Sequence, residues 1–351
     1  MAITIKDVAK HANVAPSTVS RVIADHPRIS EKTKKRVRKA MKELGYHPNL
    51  IARSLASKST SVIGLVMPES ADVIFQNPFF SSVLQGLSAR AYEKSFALQM
   101  TTGKTKDEIF QEVVQMVQGR RVDGLILLNS HVEDRLMSYL MNCDFPFVVI
   151  GKPYKHEEQI THIDNDNFRA AKEVTEYLLG LNHERIAFIG GHRDLVVTVD
   201  RLLGYEKALR EASIELRDSY IVHAEFLKEG GEEAIDELLK LAEPPTALVV
   251  TDDLMTLGVL HMLDKMEISV AEQMSIVSFN NVFLAQMTQP PLTSVDINIF
   301  SLGYEAAKNL ILKIEDPKEP VKRIIIPHQL VIRSSCERLE GKAHSSLSTK
   351  K

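Results

Sequence analysis

The chain has 351 residues, 44% of them hydrophobic and 25% charged, with a formal net charge of −3, the composition of a soluble globular protein long enough for more than one domain. No run approaches the roughly 20 apolar residues of a membrane span, and the opening MAITIKDVAK lacks the apolar centre of a signal peptide. Cys143 and Cys336 show neither CxxC spacing nor a pairing pattern, which fits a reducing compartment; a cytoplasmic protein without a membrane partner is expected, with Cys143 a buried structural thiol.

The stretch from Ile3 to Ile23 contains TIKDVAKHANVAPSTVSRVI, whose apolar residues fall on two helical faces: Ile5, Val8, Ala9 and Ala12, then Val19, Val22 and Ile23. Thr4 can cap the first helix with Asp7 as reciprocal partner, and Asn13 ends it. Pro16 suits the first position of the second helix, where its missing N–H costs nothing. The outward face of that helix carries Ser17, Thr18, Ser20 and Arg21, short hydroxyls and a forked cation that can reach phosphates or guanine edges in the major groove. This is the pattern of a helix-turn-helix whose second helix reads DNA; the alternative is a plain helical hairpin with a polar face.

A third helix is predicted from Ser30, its cap, to Gly45, the residue past its end, with Val37, Ala40, Met41 and Leu44 as its apolar stripe. Residues 1 to 60 carry 13 Lys and Arg against 4 Asp and Glu, a formal +9, so the remainder carries −12. A basic head on an acidic body points to a polyanion partner, because sequence-independent affinity for DNA comes from phosphate neutralisation.

With YHPNLIARSLASKST at residues 46–60 added to these motifs, the first 60 residues resemble the lactose-repressor/galactose-repressor (LacI/GalR) family of bacterial transcription regulators. The resemblance implies a homodimer on a palindromic operator in double-stranded DNA, a hinge helix from Asn49 to Ser57, and Leu55 wedged into the minor groove. The residues agree with it: a segment of eight or nine residues is too short for a stable isolated helix, and leucine is of the kind that unstacks a base step, while Arg53 and Lys58 supply charge. The DNA-facing set is then Thr4, Pro16, Ser17, Thr18, Ser20, Arg21, Ser30, Thr33, Tyr46, Asn49, Ala52, Arg53 and Leu55. Two positions depart from the family pattern, Ala15 where a capping serine is usual and Ala24 where asparagine is common, which puts two backbone contacts in doubt.

Short apolar runs then alternate with helical segments. Strands are predicted at 62–67, 96–101, 124–128, 147–150, 185–190, 246–251, 274–279 and 323–332, and helices over Phe80 to Lys94, Lys106 to Gln118, Asn167 to Leu181, Arg201 to Ala212 and Leu254 to Met266. Near-continuous Val, Ile and Leu strands between helices argue for an α/β fold with parallel sheets covered on both faces. The succession restarts after about residue 160, so two similar halves are expected.

The resemblance implies a body like the periplasmic sugar-binding proteins, one lobe about 61–161 plus 292–322, the other about 162–291 plus the last strands, with ligand in the cleft between them. The expected division is 1–47 for the DNA-binding domain, 48–60 for the hinge, 61–335 for the two-lobed ligand-binding and dimerisation domain, and 336–351 for a polar tail.

No GxSxG, HExxH, P-loop or GxGxxG after a strand occurs. The cluster Asp164-Asn165-Asp166-Asn167 resembles the start of a calcium loop, but Arg169 and Thr175 stand where Gly and Glu are required. Asp166 and Asn167 read better as a helix cap or part of the cleft wall. No cofactor, metal or catalytic residue is expected.

Family positions map onto five effector candidates: Arg201 in DRLLGYEKAL, Asp252 ending TALVVTD, Phe79 in NPFF, Phe226 in HAEF, and Asn280 in SFNN, where aspartate is commoner. Such a mixture suits a sugar, whose hydroxyls bond charged and amide groups while an aromatic face covers its C–H surface. Plain core is the alternative for Phe79 and Phe226, and a helix cap for Asp252.

Three functions compete: a sugar-controlled repressor, a catabolite regulator co-bound by a phosphorylated carrier protein, and an enzyme with a DNA-binding head. The first is favoured, and the third lacks an acid/base pair or nucleophile. FQNPFFSSVLQGLS and HIDNDNFRAA are similar to the maltose-operon repressors of the family, which implies maltose, with related disaccharides or maltodextrins as competitors. The tail ERLEGKAHSSLSTKK holds no a/d repeat that would pair dimers into tetramers, so a dimer is expected.

Overall fold

A computed structural model describes residues 3–23, 25–46, 59–68 and 70–339, and the chain divides into two compact units, 1–61 and 62–351. The predicted hinge residues Asn49, Ala52, Arg53 and Leu55, together with Lys58 and Ala24, lie outside the described residues.

The first unit is three helices, α1 (Ile5–His11), α2 (Pro16–Ile23) and α3 (Glu31–Leu44). Val8, Ala9, Ala12, Val19, Val22, Val37 and Ala40 form its buried centre, with Met41, Leu44 and Tyr46 packed against it. The Asp7 carboxylate accepts from the Thr4 N–H at 2.9 Å and from the Thr4 hydroxyl at 2.7 Å. Asn13 adopts φ 48 and turns the chain between α1 and α2. Ser30 Oγ accepts from the Thr33 N–H at 3.3 Å, and Gly45 closes α3 at φ 63, where a residue without Cβ is favoured. Lys34 is buried among its own acids, 2.9 Å from Asp25 and 3.1 Å from Glu31, which ties the loop before α3 to its first turns.

The second unit holds two six-stranded sheets. The first contains β1 (Val62–Val66), β2 (Ala97–Met100), β3 (Gly124–Leu127), β4 (Phe147–Ile150), β5 (His162–Asp164) and β11 (Arg323–Ile325), ordered β11-β5-β4-β3-β1-β2 and wholly parallel. The second contains β6 (Ile186–Gly190), β7 (Ile221–His223), β8 (Ala247–Val250), β9 (Ser275–Phe279), β10 (Thr293–Asp296) and β12 (Gln329–Val331), ordered β12-β10-β9-β8-β6-β7, with only β12 antiparallel.

Helices cover the sheets: α4 (Ala71–Ile74), α5 (Pro78–Glu93), α6 (Lys106–Gln118), α7 (Arg135–Asn142) and α13 (Ile299–Glu315) with the first sheet, and α8 (Asn167–Gly180), α9 (Val196–Glu211), α10 (Lys228–Leu239), α11 (Asp253–Lys265) and α12 (Phe283–Met287) with the second. The strands β3, β4, β8 and β9 are buried throughout, the first three as their unbroken apolar runs require of a sheet covered on both sides, and β9 with Ser275 and Ser278 buried among its apolar residues. Helices α5 and α13 cross where a Cβ on Gly86 would lie 2.0 Å from the Phe300 carbonyl oxygen, so glycine alone permits the approach.

Several expectations need correction. The run 323–332 is two strands in different sheets, separated at Pro327, which has no N–H to continue a ladder. Strand β5 belongs to the first lobe and β10 to the second, so the lobe boundaries fall a few residues later than predicted. Helix α9 starts at Val196 rather than Arg201, because burial of Val196 and Thr198 outweighs the weak helix preference of β-branched residues. Cys143 is exposed just past the end of α7, rather than buried.

The chain therefore passes between lobes three times: after β5, after β10, and between β11 and β12. Asn165, in the first crossing, donates its side-chain amide to the carbonyl of Ile297 at 3.0 Å and of Ile326 at 2.8 Å, one on each of the other two. A single buried side chain thus ties all three inter-lobe crossings together.

Candidate functional site

In the first unit, the packing of Val19 and Val22 fixes which face of α2 points out. Pro16, Ser17, Ser20 and Arg21 are exposed there and Thr18 is half-buried. Thr4 and Ser30 are exposed, and Thr33 and Tyr46 half-buried. Ala15 offers α2 no side-chain cap; its carbonyl accepts from the N–H groups of Thr18 and Val19 instead. Arg21 makes no ion pair among the described residues, so its guanidinium is available to an external acceptor.

In the second unit, a cavity of about 630 Å³ lies between the two sheets, and all five effector candidates line it: Phe79, Arg201, Phe226, Asp252 and Asn280. Arg201, 5% exposed, donates from Nε to Asn167 Oδ1 at 2.9 Å and from Nη1 to the Thr251 carbonyl at 2.7 Å, and its guanidinium lies 4.3 Å from the centre of the Phe279 ring. Burial lowers its pKa to about 10, against the opposing pull of Asp164, Asp252 and Asp253, and it stays charged at neutral pH.

Asp252 is both a helix cap and a cavity residue. Its Oδ1 accepts from the N–H groups of Leu254 at 2.8 Å and Met255 at 3.2 Å, while Oδ2 accepts from the amides of Asn280 at 2.8 Å and Asn77 at 3.0 Å. Burial raises its pKa more than these donors lower it. The departure at Asn280 now has a physical reason, since its amide supplies a donor where an aspartate would set a second carboxylate against Asp252. Asn280 is held at φ 96, a conformation L residues seldom adopt, which marks local strain.

Phe79 and Phe226 are half-buried rather than plain core. Phe79 packs edge-on to Phe80 at 5.1 Å, and Phe226 lies so close to Gly191 that a Cβ there would sit 2.3 Å from its ring. Sequence reasoning missed Asn77, which caps α5 and reaches across the cleft, and Asp164, whose carboxyl accepts from the Asn167 amide at 2.9 Å and is pushed by burial to about 7. Asp166 caps α8 through the Arg169 N–H at 3.0 Å, while its neighbour Asn167 lines the cavity, so both readings of that acidic cluster hold.

The lobes also meet at the cleft rim. The N–H of Val132 donates to the Asp194 carbonyl at 2.8 Å and that of Val196 to the Ser130 carbonyl at 3.2 Å. The Asp194 carboxylate takes Lys106 Nζ and His131 Nδ1, each at 3.1 Å. Charged and amide groups beside aromatic faces, in a cavity between two lobes joined by three crossings, can hold a polyhydroxylated ligand. Among the described residues, no group of three or more His, Cys, Asp or Glu is arranged to hold a metal, and no helix is long and apolar enough to cross a membrane.

Residues 4–49 match the family described as bacterial regulatory proteins, lacI family, and residues 175–336 match the periplasmic binding protein-like domain. The chain is 44% identical over 338 residues to the HTH-type transcriptional regulator MalR of Streptococcus pneumoniae, covering 94% of this chain and 99% of the relative. A solved putative LacI transcriptional regulator from Bacillus cereus subsp. cytotoxis is 52% identical, with a TM-score of 0.79 over 80% of this chain and 99% of that one. The transcriptional regulator CelR, solved as a cellobiose complex, is 32% identical, with a TM-score of 0.75 over 95% of this chain and 99% of the other.

Proposed function

The chain belongs to the lacI family of bacterial regulatory proteins, and from that premise we propose that it is a homodimeric repressor of a palindromic operator, released when maltose or a related saccharide occupies the cleft. As a family member it is a DNA-binding transcription regulator rather than an enzyme. The observation that carries the effector half is the convergence of Phe79, Arg201, Phe226, Asp252 and Asn280 on one cavity of about 630 Å³, within the range of roughly 300–1,000 Å³ common for small-molecule sites. Maltose is favoured among saccharides by the 44% identity to MalR, and the solution of CelR, 32% identical, as a cellobiose complex supports a disaccharide effector.

In this reading Arg21 and its neighbours on α2 read the operator, and the segment 49–57, outside the described residues, couples the head to the cleft. Operator DNA chosen by selection from random duplexes should be bound tightly and released on adding maltose. Release by cellobiose but not maltose would replace the effector. A requirement for a phosphorylated carrier protein, with no saccharide response, would make the protein a catabolite regulator instead.

A further inference from the structure

His223 ends β7 and is one of the residues lining the cleft cavity. Its Nδ1 lies 2.8 Å from the Gly191 carbonyl oxygen. A carbonyl only accepts, so Nδ1 carries the hydrogen, and in the neutral ring the lone pair is left on Nε2. Burial, reinforced by Arg193 and His192 on the loop after β6 and opposed by the Gly191 bond, holds the imidazole below its usual pKa, and it is neutral at pH 7.

Several of the other polar groups around the cavity are committed, whereas the buried Thr251 hydroxyl, which can donate or accept, has no partner among the described residues. Asn77 and Asn280 bond Asp252, Lys106 and His131 bond Asp194, and His192 lies 2.7 Å from Glu225. Arg201 presents only donors. Nε2 of His223 has no partner among the described residues and is an acceptor.

We propose that His223 is a specificity-determining residue of the cleft, its Nε2 accepting a hydrogen bond from a hydroxyl of a neutral saccharide and so disfavouring ligands that offer only acceptors there, such as sugar phosphates. The inference rests on the saccharide reading of the cleft. A phosphate oxygen facing Nε2 opposes one lone pair to another, and a site built to bond a hydroxyl discriminates strongly against a group that cannot supply the hydrogen. Protonating the ring turns Nε2 into a donor and reverses the preference.

The test is calorimetry on the full chain with maltose and with maltose 6′-phosphate, from about pH 8 to about pH 5, the range in which a histidine exchanges its proton. Asp164, Asp252 and Glu225 also line the cavity, so the informative quantity is the difference between parent and variant. His223→Phe should bind maltose roughly 3- to 10-fold more weakly near neutral pH, the worth of one hydrogen bond, and should lose part of the parent's acid weakening. His223→Gln, which keeps an acceptor oxygen, should stay within about twofold of the parent. The parent should prefer maltose to its phosphate near neutral pH. A maltose affinity and pH profile in His223→Phe identical to the parent's, or a parent preference for the phosphate at neutral pH, overturns the proposal alone. Failure of the parent to bind any saccharide removes the saccharide reading and the proposal together.

Discussion

The side-chain amide of Asn77 donates to Asp252 Oδ2 at 3.0 Å, and the two residues cap helices on opposite lobes. One bond therefore connects the N-terminus of α5 to that of α11 across the ligand cavity, and a carboxylate already used to cap one helix also holds the lobes together.

Asn77→Ala removes that connection and leaves the buried Oδ2 with Asn280 alone. A lost hydrogen bond to a charged acceptor is worth about 1.5–3 kcal/mol, and most of it should fall on the closed arrangement. The expected result is a larger radius of gyration by small-angle scattering without ligand and a saccharide affinity lowered about tenfold or more. Scattering and affinity both unchanged would show that the rim contacts of Asp194 hold the cleft unaided.

Asp164 gives a pH dependence of definite sign. Burial raises its folded pKa to about 7, above its ordinary 3.8, so between those values the folded protein holds a proton the unfolded chain has lost. Its contribution to stability is therefore greatest at low pH, declines as pH rises from about 4 to about 7, and is flat above. The ceiling on this effect is about 4 kcal/mol. Asp164→Asn, which keeps an oxygen for the Asn167 amide, should gain stability relative to the parent at pH 8 and little at pH 4, read by urea denaturation. An equal effect at both pH values would mean that Asp164 is ionised in the folded state.

Most of the architecture was legible because each signal was local. Pro16, Ser30 and Gly45 mark helix ends by their own chemistry, and unbroken Val, Ile and Leu runs announce strands buried on both faces. What stayed hidden depends on contacts distant in sequence. Asn165 looks like one member of an acidic cluster, and only the folded chain brings Ile297 and Ile326 to it. Asn77 reads as a cap for α5, and nothing nearby indicates a carboxylate 175 residues away. The short strands β5, β7 and β10 escaped prediction because His-Ile-Asp, Ile-Val-His and Thr-Ser-Val-Asp hold too few apolar residues to register, unlike the equally short Phe-Val-Val-Ile of β4. Family likeness supplied Arg201 and Asp252, whereas the unpartnered nitrogen of His223 could come only from geometry.

Arg21 and Lys58 separate reading from positioning. Arg21 is exposed on α2 and is proposed to contact a base, so Arg21→Ala should lose roughly 1–3 kcal/mol on the preferred operator and relax selection at one position. Lys58→Ala should weaken binding to all sequences about equally and flatten the salt dependence. Selection from random duplexes checks both: an unchanged preferred sequence with Arg21→Ala removes its assignment as a reader.

Coupling between cleft and operator follows from linkage rather than from a particular path. If a saccharide lowers operator affinity by some factor, operator must lower saccharide affinity by the same factor, because both are legs of one thermodynamic cycle. Arg201 is tied to Asn167 and Thr251 within the cleft, so Arg201→Ala should leave operator affinity within about twofold and abolish the response to maltose, because the proposed site loses its buried guanidinium and the charge-assisted donors it would offer a saccharide. Leu55→Ala should do the opposite, weakening specific operator binding by loss of a minor-groove wedge while sparing maltose affinity. Anisotropy titrations of operator and calorimetric titrations of maltose on each variant close the cycle. A normal maltose response from Arg201→Ala would take the effector out of this cleft, and a saccharide that tightened operator binding would make the protein co-repressed rather than induced.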